Sequence, residues 1–305
     1  MTTKPPRGSS FRYDEIGQRL RAFRIGSTDS ADQIAAKLGI SKTALYRLER
    51  GGLAKIEMLE RLADLFGVSV PTLLGVGIEY VPSAVSYFER VRQIEEQSDH
   101  IVALSAPISL RLASDAFVDM IEEILTENVA DDAADRGRAL SDIPKVMKIL
   151  RERRTLFDRH RPAIVTIVSG KEIARVLKTG LVGREGLPKN ILKRRRALAI
   201  QEITHLKGLL ENPPIGVQIG VLRDTLPHVG FQLFRQPDRK VLVSSPFRIG
   251  GEPNIRVGVA MITSAPDALS FHDAAVDEMW GRALKAGAAA AYVSELIKDA
   301  TTDAS

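Results

Sequence analysis

Apolar residues recur at helical spacing five times within the first 75 positions. Tyr13 to Arg24 sets Ile16, Leu20 and Phe23 on one face and Arg19, Arg21 and Arg24 on the other, which predicts an amphipathic helix with its arginines outward. A second helix follows Ser30, whose hydroxyl is placed to cap it, with Gln33 closing a capping box and Ile34, Ala35 and Leu38 inward. Gly39 ends that helix, since glycine takes the left-handed conformation that swings the chain round. Ser41 caps a third helix with Ala44, Leu45 and Leu48 inward. Lys55 to Phe66 repeats the spacing and stops at Gly67, and Ser69 to Leu74 makes a short fifth helix with Pro71 in its first turn. The stretch Ser30 to Gly51, SADQIAAKLGISKTALYRLERG, therefore reads as two short helices crossing at a tight turn, a helix-turn-helix.

Further along, the period changes. Gly75 to Pro82 reads as a domain boundary, and residues 78–99 as a linker helix whose stripe of Val85, Phe88, Val91 and Ile94 packs on its own domain or connects to a partner. From His100, IVALSAPI has strand length, Ala113 to Val129 has helical spacing, and Asp131 to Asp142 is a polar loop. A charged helix over Ile143 to Arg159, the strand Ala163 to Ser169, a helix from Lys171, a loop to Pro188 and a long helix over Ile191 to Glu211 come next. Alternation then predicts four strands, through Ile215 to Val221, Phe231 and Leu233, Val241 and Val243, and Ile255 to Met261. One last helix spans Pro266 to Ile297. The fold class is two-domain: an all-α five-helix helix-turn-helix domain (13–77), then an α/β or α+β mixed-sheet domain (100–300), with residues 1–12 as a flexible tail or a DNA-touching arm.

The segment resembles the helix-turn-helix of the phage-repressor class, the Xre-type regulators. The likeness runs from IGQRLRAFR (Ile16 to Arg24) through LERGGLAKIEMLERLADLFGVSVPTLLG and covers about a quarter of the chain. The resemblance implies that the third helix enters the major groove, with Lys42, Thr43 and Arg47 reading bases; Ser41, Tyr46, Arg50 and Arg19 are expected on phosphate. It also implies that Glu49 faces its own domain and pairs with an arginine. One departure stands out: where that family usually begins its second helix with a phosphate-touching glutamine, this chain has Ala31. The element order of the second domain is similar to that of the phospholipase D-like sensor domains fused to some transcription regulators.

Charge sharpens this picture. Residues 1–75 hold 12 Lys and Arg against 8 Asp and Glu, whereas the remainder holds 31 against 30, so nearly all of the net charge of +5 lies with the helix-turn-helix. The chain has no cysteine, which excludes disulfides and thiolate metal sites. No apolar run has the length of a membrane span and the first residues lack a signal-peptide core, so a cytoplasmic protein with no membrane partner is expected.

Chemistry beyond DNA contact is sparse. The histidines at 100, 160, 205, 228 and 272 fit no metal-ligand spacing. His205-x-Lys207 followed by Asn212 approaches the HxK-x4-D signature of phospholipase D-like enzymes but lacks its aspartate. SGKEI at Ser169, GGEPNIRVG at Gly250 and the absence of a G-x-S-x-G elbow leave no phosphate loop, dinucleotide fingerprint or hydrolase nucleophile. No catalytic residue, metal or cofactor is therefore expected. Two basic clusters, around Arg151 and Arg154 and around Arg194 and Arg195, read as solvated helix faces, or as contacts to an anionic effector or to DNA. Phe231, Phe234, Phe247 and Trp280 are candidates for an effector pocket or for plain core. The expectation is a homodimeric DNA-binding transcriptional regulator of double-stranded operators whose second domain senses a small-molecule effector. A DNA-tethered enzyme and an antitoxin- or immunity-like interaction module are the alternatives.

Overall fold

The computed structural model describes residues 13–52, 55–105, 109–182, 184, 186–224, 226–227, 230–250 and 253–302. The expected tail at 1–12 and His228 lie outside them. The chain divides into two compact units, residues 1–80 and 81–305.

Five helices build the first unit: α1 (Tyr13–Gly26), α2 (Ala31–Leu38), α3 (Lys42–Glu49), α4 (Ile56–Phe66) and α5 (Val70–Leu74). Their core is Leu20, Ile34, Leu38, Leu45, Leu62 and Leu73, each at most 2% exposed. Truncating one such leucine to alanine costs about 2–5 kcal/mol, so the spacing of these residues fixes the bundle.

The chain then runs through β1 (Ile78–Val81), α6 (Ala84–Glu96), β2 (His100–Ser105), α7 (Asp115–Glu127), α8 (Arg136–His160), β3 (Ala163–Ser169), α9 (Gly170–Thr179) and α10 (Lys189–Glu211). Five strands and two helices complete it: β4 (Val217–Leu222), β5 (Gly230–Arg235), β6 (Lys240–Ser245), β7 (Ala260–Thr263), α11 (Pro266–Arg282), the two-residue β8 (Leu284–Lys285) and α12 (Ala286–Thr302). Within the second unit, strands β2 to β8 form one mixed sheet in the order β7-β6-β5-β2-β3-β4-β8. Strands β2, β3 and β4 are parallel, in register at His100 with Ala163 and at Ile164 with Val217, and each crossover between them carries two helices. Strands β5, β6 and β7 continue antiparallel from β2, and β8 pairs antiparallel with β4. Side chains alternate across β5: Phe231 and Leu233 pack with Leu242 and Val276 of α11, whereas Gln232 turns to the opposite face and reaches Tyr87 of α6.

Four expectations change. The stretch expected as a linker helix is β1 followed by α6, and α6 is a core helix of the second unit with eleven of its thirteen residues buried. The polar loop after Val129 is shorter, because α8 begins at Arg136 and carries Pro144 inside it. Val257 and Val259 alternate as a strand would but are 73% and 51% exposed, and β7 starts only at Ala260. The single last helix is two, broken at Ala283–Lys285, with Ala286 at a φ of 48°.

Candidate nucleic-acid interface

The joint of the helix-turn-helix follows from its residues. Ser30 Oγ accepts from the Gln33 amide and Gln33 Oε1 accepts from the Ser30 amide at 2.8 Å, a complete capping box. Gly39 stands at φ 63° and donates to Ala36 O, while Ile40 donates to Ala35 O at 3.0 Å, closing the end of α2. Ala35, 3% exposed, occupies the crossing of α2 with its neighbours. Ser41 Oγ then accepts from the Ala44 amide at 3.1 Å and starts α3. Gly17 admits the end of α3 against α1, since a Cβ there would stand 2.4 Å from Glu49 O.

With Leu45 and Leu48 turned into the core, Lys42, Thr43, Tyr46 and Arg47 form the outward row of α3, and Ser41 and Arg50 are exposed at its two ends. Two devices order this row. Arg24 pairs with Glu49 through both guanidinium and carboxylate arms, and its guanidinium lies 5.4 Å from the centre of the Tyr46 ring. Lys42 Nζ donates to Asp32 Oδ2 on α2 at 2.9 Å. That hydrogen bond, reinforced by the charge of Asp32, raises the proton affinity of Lys42. Spacing placed α3 and its caps, but not Arg24 on Tyr46 or Asp32 on Lys42. Both arise between helices, and only the pairing of an arginine with Glu49 is visible through the family likeness.

Arg19 departs from the expected phosphate contact. It is 6% exposed, donating to Glu79 at 2.9 Å and to Glu15 at 3.2 Å inside the first unit. A guanidinium held between two buried carboxylates is part of the core and has no free face for a phosphate.

The basic clusters of the second unit are likewise engaged. Arg195 is 1% exposed and pairs with Glu123 and Glu127, so it belongs to the interior and not to a solvated face. Arg194 pairs with Glu123 at 3.2 Å, Arg151 with Glu122 at 3.4 Å, and Arg154 with Asp115 and with Ala113 O at 2.9 Å. Arg194 also borders an open groove of about 430 Å³ between α7 and α10, with Ala116, Met120 and Leu198 on its walls. Phe231, Phe234 and Phe247 are core residues, at most 7% exposed. His205 Nε2 binds Leu112 O at 2.8 Å and Lys207 pairs with Glu211, which accounts for the near-signature as helix packing.

A buried polar cluster lies under α6. Glu95 receives Arg153 at 2.8 Å through two nitrogens and also receives Arg111, which donates to Gln232 at 2.9 Å. Burial lowers the proton affinity of both guanidiniums, Arg153 to about 10, and the charge of Arg153 lowers Arg111 further. Beside it is a cavity of about 10 Å³, room for one water. Among the described residues no group of acidic and histidine side chains is arranged to hold a metal ion, and no helix is long and apolar enough to cross a membrane.

The geometry of the first unit is that of a helix-turn-helix with its second helix presented outward. Residues 15–74 match the protein family described as a helix-turn-helix domain, and that match supports a DNA-binding regulator of transcription. Compared with curated proteins, the chain finds no match.

Proposed function

We propose that the protein is a sequence-specific transcriptional regulator of the Xre type that acts in the cytoplasm as a homodimer on double-stranded operators. Its C-terminal sheet unit, in this reading, senses a small-molecule effector and carries no reaction of its own. The observation that supports DNA reading is the division of α3: Leu45 and Leu48 buried, Lys42, Thr43 and Arg47 exposed in one row. Lys and Arg donate to guanine O6 and N7, and the threonine methyl packs on a thymine methyl, so guanine-containing half-sites are favoured. Ser41, Tyr46 and Arg50 flank that row and are assigned to phosphate. Two copies meet two half-sites about one helical turn apart, and an effector that prefers one arrangement of the dimer shifts the DNA-competent population.

The test is capture of sheared genomic DNA by the full-length protein at two salt concentrations, beside a Lys42→Ala/Arg47→Ala variant. Enrichment of a few palindromic sites that the variant loses supports the reading. Recovery of sequence-independent, salt-sensitive DNA by both proteins overturns it.

A further inference from the structure

Lys42 carries a partner that DNA reading alone does not call for. Asp32, the second residue of α2, stands across the turn with its side chain 70% exposed and its Oδ2 2.9 Å from Lys42 Nζ. The capping of α2 is complete without it, through Ser30 and Gln33. Ala31, the residue before it, offers no phosphate donor. The outer end of α2 thus presents a carboxylate where a DNA-binding surface gains most from positive charge.

The chemistry of the ammonium gives this carboxylate a use. A lysine has three N–H donors, and one is spent on Asp32. Two remain, matching the two acceptors, O6 and N7, on the major-groove edge of guanine. An unanchored lysine on a flexible stem settles on any nearby phosphate and gains affinity without sequence information. A lysine locked to a carboxylate adds no net charge to attract phosphate, and the carboxylate repels the backbone directly. Tyr46 and Arg24 are the other titratable groups facing Lys42, and the positive charge of Arg24 opposes, without cancelling, the rise in proton affinity that Asp32 causes.

We propose that Asp32 is a positioning residue for specificity, one that holds Lys42 on a guanine edge and off the phosphates. The proposal rests on α3 being the reading helix. Asp32 also stabilises the start of α2 through the helix dipole, and that purely structural role has no bearing on base choice.

Selection from a randomised duplex library tests it, using full-length wild type, Asp32→Asn, Asp32→Glu, Lys42→Ala and the Asp32→Asn/Lys42→Ala double variant, with affinity for random-sequence duplex measured across a salt series. Lys42→Ala should relax a guanine preference at one position of the site. Asp32→Asn should lower the preference at that same position by roughly 5-fold or more, within the discrimination of one two-acceptor contact. It should also raise affinity for random duplex and steepen its salt slope by about 0.9, one added phosphate contact. Asp32→Glu should retain most of the preference, and the double variant should relax no further than Lys42→Ala. An Asp32→Asn protein that keeps the wild-type preference at every position overturns the proposal, as does a Lys42→Ala protein that relaxes none, while leaving the regulator reading intact. Failure of the wild type to enrich any sequence overturns the regulator reading itself.

Discussion

Arg24 on α1 grips Glu49 at the end of α3, with Nη2 3.0 Å from Oε2, and the grip ties the first helix to the last turn of the outward one. Glu49's side chain is 6% exposed and Arg24's is 18% exposed. Removing Arg24 strands a carboxylate in the interior, whereas neutralising Glu49 leaves a guanidinium that turns to water. Arg24→Met should therefore cost about 2 kcal/mol, and Glu49→Gln less, as read from urea unfolding midpoints of the full chain. Arg24→Met should also weaken DNA binding beyond its effect on folding, because Tyr46 loses the cation over its ring.

Arg47 and Arg50 separate reading from attraction. Arg47→Ala should cost about 1–3 kcal/mol on the preferred site and relax one base position, while Arg50→Ala should weaken all duplexes alike and reduce the salt slope by about 1. Competition binding on preferred and random duplexes at several salt concentrations reads both. An Arg47 variant with unchanged sequence preference would place that residue outside the groove.

The cluster under α6 sets two guanidiniums against one carboxylate, all three side chains at most 7% exposed. Glu95→Ala leaves both cations buried without their partner and should destabilise the second unit by about 3–5 kcal/mol. Replacing Glu95, Arg111 and Arg153 together by methionine should recover most of that loss, since apolar residues of like volume remove the desolvation cost. Chemical denaturation followed by circular dichroism distinguishes the two variants.

Helix α6 shows an apolar stripe bordered by charges, the pattern of a surface helix, yet Glu89, Arg90, Gln93 and Glu95 are all buried. The partners of Glu95 come from Arg111 and Arg153, 16 and 58 positions away, and local periodicity holds no record of them. Arg19 and Arg195 fail for the same reason: each is buried against a carboxylate distant in sequence, Glu79 for Arg19 beside the local Glu15, and Glu123 and Glu127 for Arg195. By contrast AIVTIVS matches β3 at both ends, because a strand covered on both faces is a continuous apolar run. The backbone of the helix-turn-helix is legible in the sequence, since its caps, glycine stop and leucine rows are local, although Ala44 proves only half-buried. The break before α12 lies between Gly281 and Gly287 with no proline near it, and its left-handed residue is neither of these glycines but Ala286.

His100 opens β2 with its imidazole held below its ordinary proton affinity, first by partial burial and then by Arg235. The unfolded chain therefore binds a proton there at a pH where the folded chain does not. Stability should fall as pH drops from about 7 through the histidine range, and the loss should be smaller in His100→Asn. Melting temperatures of the two proteins between pH 7 and pH 5 check the difference in slope.

The two-residue β8 has a consequence for the chain's behaviour in a crowded solution. Without it, β4 would present a row of unpaired amides and carbonyls, a template on which another chain's strand can add. Leu284 and Lys285 occupy the positions opposite Val221 and Gly220, and Lys285 lays its ammonium 5.0 Å from the Trp280 ring centre. This end of the sheet therefore closes on a strand of only two residues that carries a lysine, an edge too short and too charged to favour pairing with a strand of another chain.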